Sequence, residues 1–364
     1  MAQPQPIKGL QLSELFYREA VAPIIAAKFP ELQYSAARIN AGSDVLGFDD
    51  QISRDHYWGA ILELYFSGQD YHSYRDKIDE ALRAELPREI AGFPTNFDST
   101  AGDASAKHSD SGPIEHRISF YCIDTFVHSY RSINPLKEMT VLDWLMIPSQ
   151  KLRTIRSGKV FYDGLGELEA IRAKLHYYPE AVWRHLLVAQ WCRISQEMAF
   201  PGRCGDVGDE LGSRIVAARL VQDLMNLCFL MERRYAPYSK WFGTAFAQLN
   251  CAGQLTPIFH GVLNAQGWRE RERYMSQAYE IVGEMHNALE ITAPLPVTVK
   301  GYFSRPYLVV GSNYGQAIYE TIIDEEVKRL PLGVGSVDQF LNSTDVLDNQ
   351  SHRSRLAGLY DGIS

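Results

Sequence analysis

The chain has 364 residues, of which 46% are hydrophobic, 12% aromatic and 22% charged, with a formal net charge of −8 at pH 7. That length is about twice a usual single domain and predicts two domains on one soluble polypeptide with ample core. The acidic balance argues against a general nucleic-acid binder, because neutralising a phosphate backbone needs a basic face, and leaves room for a local basic cleft. The five cysteines are widely spaced and form no zinc or redox motif, the N-terminal MAQPQPIKGLQL has no apolar signal core, and no apolar run approaches a membrane span. These features read as a cytoplasmic protein with reduced thiols and no membrane association.

In chain order, residues 10–28 carry apolar positions at helical spacing, with Ser13 as a candidate N-cap and Pro30 beyond the end. LQYSAARINAGSDVLGF is more alternating and predicts a strand entering a turn at Gly42-Ser43. HYWGAILELYFSG alternates as a second strand, with a helix as the competing reading, and residues 70–86 are helical. The Ser-, Asp- and Gly-rich segment 94–113 reads as a loop, after which HRISFYCIDTFVHSY resumes a strand. Alternation there sets Arg117, Ser119 and Tyr121 on one face and His116, Ile118, Phe120 and Cys122 on the other. A domain boundary falls near residue 140. Four amphipathic stretches follow, in 140–158, 178–200, 208–237 and 269–291, with a strand-like excursion over 297–310.

The segment GSDVLGFDDQISRDHYWG, residues 42–59, combines a Gly-Ser turn with Asp44, Asp49, Asp50 and Asp55. A Gly-Ser turn lets backbone amides approach an anion, and nearby carboxylates can hold divalent cations over phosphates. The plain alternative is a turn bearing solvated loop acids. A second constellation is GDELGSRIVAARLVQDL, where Glu210/Arg214 and Arg219/Asp223 stand four apart and suit intrahelical ion pairs, although Arg214 follows a Gly-rich break where a helix N-terminus can meet an anion. In ERRYAPYSKWFG, Arg233, Arg234, Tyr235, Tyr238, Lys240 and Trp241 crowd one turn, which suits phosphate contact with base stacking as well as an ordinary helix end. Arg305, before Pro306, reads either as an anion contact or as an exposed loop arginine, and Trp183, Trp191, Tyr177 and Tyr178 read as core.

A strand, Gly-Ser, a spacer and an acid on a second strand resemble the nucleotidyltransferase superfamily signature of Gly-Ser followed by Asp-x-Asp. Over nearly the whole chain, segments such as VLDWLMIPSQKL, YYPEAVWRHLLVAQW, VGDELGSRIVAARL, ERRYAPYSKWFGTAFAQL and GSVDQFLNSTDVL are similar to the domain-of-unknown-function family 4037. The resemblance implies an α+β fold: a nucleotidyltransferase-like mixed sheet with flanking helices in residues 1–140, then a mainly helical domain of the substrate-binding type in 141–364. It implies a nucleoside triphosphate such as ATP, Mg²⁺ and a small-molecule acceptor in an interdomain cleft. Gly42 and Ser43 would meet phosphate, Asp55 would hold the metal and Lys240 would meet the triphosphate, while Arg214 and Arg305, from their own positions, are further candidate cofactor contacts. The match is incomplete, since Tyr57 stands at the second acid's position and a phenol with a pKa near 10 is no carboxylate. Ser119 occupies the third acid's place, with Glu115 or Asp124 as substitutes under another register. His56 is a candidate acid or base, or a structural residue turned away from Asp55 and Tyr57. Two further readings therefore stand beside nucleotidyl transfer: a non-catalytic nucleotide or small-ligand binder, and a biosynthetic enzyme reusing the scaffold.

Overall fold

The structure, a computed structural model, describes residues 7–55, 58–97, 112–124, 136 and 139–360. The chain forms a mixed sheet with flanking helices and a mainly helical remainder, divided into two compact units. The first comprises residues 1–139 and 151–176, and the second residues 140–150 and 177–364.

In the first unit, α1 (Gly9–Phe16) passes through one wide turn, Tyr17–Val21, into α2 (Ala22–Lys28). Pro23 at the start of α2 lacks the N–H that an uninterrupted helix would use, and the wide turn absorbs the mismatch. Strands β1 (Tyr34–Arg38) and β2 (Ile61–Phe66) pair antiparallel, with Ala37 opposite Glu63. The Ser67 hydroxyl then caps α3 (Gly68–Glu85) by accepting from the Asp70 N–H at 3.1 Å. This helix leads toward β3 (Arg117–Cys122), which lies parallel to β2. The fourth strand, β4 (Lys159–Asp163), pairs antiparallel with β1 and completes the order β3-β2-β1-β4. Leu12, Phe16, Val21 and Ile25 from the first helices and Ile78 and Leu82 from α3 bury one sheet face through Ala36, Leu62, Leu64, Phe66 and Ile118. Each buried aliphatic side chain contributes about 1.5–3 kcal/mol. The opposite face carries Glu63, Tyr65, Arg117, Ser119 and Tyr121, in agreement with the alternation read for β3.

The second strand starts at Ile61, so the run Asp55-His56-Tyr57 precedes it rather than lying on it. Asp55 ends a short 3₁₀ turn, Ile52–Asp55, while His56 and Tyr57 lie outside the described residues. The stretch 140–158, read as one helix, is two, Val141–Met146 and Ser149–Ser157. Pro148 between them bars the α-region at Ile147.

The second unit is built around α4 (Glu180–Glu197), α5 (Glu210–Met231) and α6 (Trp268–Ala288), with a hairpin of β5 (Val299–Tyr302) and β6 (Arg305–Val310). Trp183 and Trp191 on α4 are each 1% exposed, as their helical spacing predicts. Trp191 stacks on Tyr314 with ring centroids 4.4 Å apart. The excursion at 297–310 is this hairpin, turning through Phe303 and Ser304.

Candidate functional site

The loop that leaves β1 is organised by one cation. Arg38 ends the strand and is 4% exposed. Its Nε donates to Asp44 Oδ2 at 2.9 Å and its Nη2 to Asp44 Oδ1 at 3.0 Å, while Nη1 donates to Glu63 Oε1 at 3.1 Å. Burial alone would disfavour the guanidinium charge, but Asp44 and Glu63 outweigh it and raise the pKa above the ordinary arginine value. Glu63, 2% exposed in the middle of β2, also accepts from the Ile39 N–H at 2.8 Å, the Asn40 N–H at 3.2 Å and the Tyr65 hydroxyl at 3.0 Å. Its carboxylate oxygens are thus satisfied by the protein, the condition under which a buried charge is tolerated.

Gly42 and Ser43 are half-buried at the head of this loop. The glycine has φ +140, and a Cβ there would land on the Asp44 carboxylate and 2.5 Å from Arg38 Nη2. Clearance for the ion pair is therefore a sufficient reason for glycine at this position. The turn is closed by the Leu46 N–H donating to Gly42 O at 3.3 Å and the Phe48 N–H to Ser43 O at 2.9 Å.

The other loop acids also have structural partners. Asp44 and Asp49 are buried at 2% and 4% exposure rather than solvated. Asp49 Oδ2 accepts from the Gly9 N–H of α1 at 2.8 Å and from Trp58 Nε1 at 3.0 Å, and Lys8 Nζ lies 3.4 Å from Oδ1. This places a carboxylate at a helix N-terminus, where it satisfies an orphan N–H and meets the positive end of the helix dipole. Exposed Asp50 accepts from the Ser53 N–H and hydroxyl and the Ile52 N–H, which lowers its pKa and holds the turn before Asp55.

On the sheet's second face, the register sets Glu63 beside Ser119 and Tyr65 beside Tyr121. The two tyrosine rings stack at 5.4 Å, and Asn40 Nδ2 donates to the Tyr121 hydroxyl at 3.1 Å. Arg117 lies 3.9 Å over the Phe97 ring and donates through Nη1 to Trp58 O at 3.2 Å. Glu115, an expected substitute acid, precedes the strand and pairs with Arg83 at 2.7 Å. Ser119 itself is exposed and Asn40, Tyr121 and Arg117 are half-buried, so this face presents a hydroxyl, an amide, a phenol and a guanidinium around one neutralised carboxylate, with Tyr65 buried behind Tyr121. Glu63 is the residue that sequence reasoning missed, although a single acid inside the apolar run ILELYF was a visible signal.

The predicted contacts of the second unit do not form one cluster. Arg214 is exposed near the start of α5 and donates to Gln266 O at 3.3 Å. Lys240 lies beyond the other end of that helix, exposed, with Nζ 5.3 Å from the Trp241 ring centroid. At 1.5 Å per residue, the α5 segment between Arg214 and the helix end alone spans about 25 Å. Arg305 is exposed at the first position of β6. The two intrahelical ion pairs expected on α5 are replaced by bonds between helices. Glu210 receives Arg271 at 3.2 Å and the Trp268 N–H at 3.0 Å, Arg219 pairs with Glu197 at 2.7 Å, and Asp223 receives Arg193 at 2.6 Å. Arg233 stacks 3.7 Å over Trp183 and pairs with Glu180 at 2.6 Å, which gives that basic residue a structural role.

A two-metal site needs converging carboxylates free to bind cations. Among the described residues, no group of three or more His, Cys, Asp and Glu side chains could hold a metal ion. Asp44, Asp49 and Glu63 do not fit that role because their oxygens bind Arg38, Lys8, Trp58 and backbone amides. Among the described residues, no helix is long and apolar enough to cross a membrane. No curated protein and no solved structure gave a significant match to the chain. Residues 144–242 match the model of a family described as a domain of unknown function, DUF4037.

Proposed function

We propose that this protein is a nucleotidyltransferase-like ligand binder, which holds a nucleotide or a related small molecule on the second sheet face of its first unit without transferring a nucleotidyl group. The observation that carries this reading is the register of β2 and β3, which sets Ser119 beside Glu63 where in-line transfer with two metals would call for another carboxylate. The half-buried Tyr121 ring, backed by the buried Tyr65, and Asn40 would supply a base and a sugar with an aromatic contact and directional hydrogen bonds. In this reading Gly42, Ser43 and Asp55 remain candidate ligand contacts, and Lys240, Arg214 and Arg305 carry no role.

Calorimetric titration with adenosine, AMP, ATP and their guanine counterparts, together with a pyrophosphate-release assay over candidate acceptors, tests the proposal. Saturable binding without pyrophosphate release, weakened about tenfold or more by Tyr121→Ala, is expected, a loss of about 1.4 kcal/mol. Pyrophosphate release that requires Mg²⁺ and disappears in Asp55→Ala would restore nucleotidyl transfer, with Asp55 as the metal carboxylate and a small hydroxyl- or amine-bearing molecule as acceptor.

A further inference from the structure

We propose that the Arg38 guanidinium is the resident cation of this site, seated between Asp44 and Glu63 where a divalent ion would otherwise bridge them, so that the ligand is recognised without metal and carries little negative charge. This rests on the ligand-binding reading above and narrows its substrate class to a nucleoside or nucleoside monophosphate rather than a magnesium triphosphate.

Three observations converge on it. The guanidinium is bidentate to Asp44 at 2.9 and 3.0 Å and reaches Glu63 at 3.1 Å, so one buried charge bridges two carboxylates from separate segments of the chain. Gly42 has no room for a Cβ against that bridge, which keeps the loop closed on the arginine. The described charges at the loop also leave no positive excess. Asp44 and Glu63 share Arg38, Asp49 pairs with Lys8, and Arg117 on the same sheet face is held over the Phe97 ring and to Trp58 O. No surplus of positive charge is left among these groups to hold a triphosphate, and the bridged carboxylates cannot recruit a metal to supply it. A planar, permanently charged guanidinium suits this bridge, because it satisfies two carboxylates in fixed directions and cannot be titrated away.

Two measurements on the full chain decide the matter. In calorimetry, AMP or adenosine is expected to bind equally within about twofold in EDTA and in millimolar Mg²⁺, with ATP at least about tenfold weaker in both. ATP binding that tightens about tenfold or more on adding Mg²⁺ would overturn the inference. If no nucleotide binds at all, the ligand-binding reading fails, and the cation measurement still judges Arg38 by itself. In thermal melts, the wild type is expected to be indifferent to millimolar Mn²⁺. Arg38→Met should gain a Mn²⁺-dependent rise of about 5 °C or more that is lost in Arg38→Met/Glu63→Gln. A Mn²⁺ response in the wild type, or none in Arg38→Met, contradicts the assignment. Should Arg38→Met be insoluble without a cation, recovery on refolding with Mn²⁺ supports it and failure to recover refutes it.

Discussion

Arg38 grips Asp44 through two parallel hydrogen bonds, 2.9 and 3.0 Å long, while both side chains are almost fully removed from solvent. This pair turns an acid-rich loop into a fixed extension of β1.

Breaking the pair from one side leaves an uncompensated buried charge. Asp44→Ala is expected to destabilise the protein by roughly 3–5 kcal/mol in urea unfolding, because the buried Arg38 loses its bidentate partner. A loss below about 1 kcal/mol would place Asp44 among ordinary surface ion pairs.

Gly42→Ala separates the two reasons for a glycine in this turn. At φ +140, with the Asp44 carboxylate in the way of a Cβ, the substitution is expected to lower stability by more than about 1 kcal/mol with no ligand present. If ligand-free melting is unchanged while binding falls, the glycine serves the ligand rather than the ion pair.

The helical unit offers a contrast between ion pairs. Arg271 is fully buried and donates to Ser213 Oγ at 2.6 Å, Ala265 O at 3.2 Å and Glu210 at 3.2 Å, so Arg271→Ala should cost roughly 3–5 kcal/mol through the cavity it leaves and the buried acceptors it unpairs. Arg219 is half exposed in its pair with Glu197, and Arg219→Ala should cost below about 1 kcal/mol. Chemical denaturation of the two variants under one buffer checks the ordering.

His286 makes stability depend on pH. It is fully buried, with Nε2 3.0 Å from Thr292 Oγ1 and Tyr314 packed at 4.7 Å, and burial lowers its pKa from 6.5 to about 4. The folded state binds the proton less tightly than the unfolded chain. Its contribution is therefore fully present above pH 6.5 and is lost as pH falls from 6.5 toward about 4, by up to about 1.4 kcal/mol per pH unit. His185 is shifted in the same direction by burial, so His286→Asn should flatten the acid limb of a stability–pH curve only in part. An unchanged slope in that variant would remove His286 from the account.

What was legible in the sequence followed local periodicity. The presence of β1, the phase of β3, the helical remainder and the buried tryptophans of α4 were all visible as apolar spacing. Contacts across long separations were not. Nothing near Asp49 announces that Gly9 and Trp58 will share its carboxylate, nor does β4 advertise that it will pair with a strand well over one hundred residues earlier. Spacing of four suggested Arg219 with Asp223, but packing against α4 offered each a partner on another helix. On the sheet, Ser119 was correctly phased, whereas Glu63 stayed unread because the second strand was begun before Ile61.

The most direct test of the central claim follows nucleotide and pyrophosphate in one reaction. Wild-type protein incubated with ATP, Mg²⁺ and candidate acceptors should give no enzyme-dependent pyrophosphate, while calorimetry on the same preparation shows a saturable nucleoside or nucleoside monophosphate site. Pyrophosphate formed in multiple turnovers, and abolished in Asp55→Ala, would contradict it.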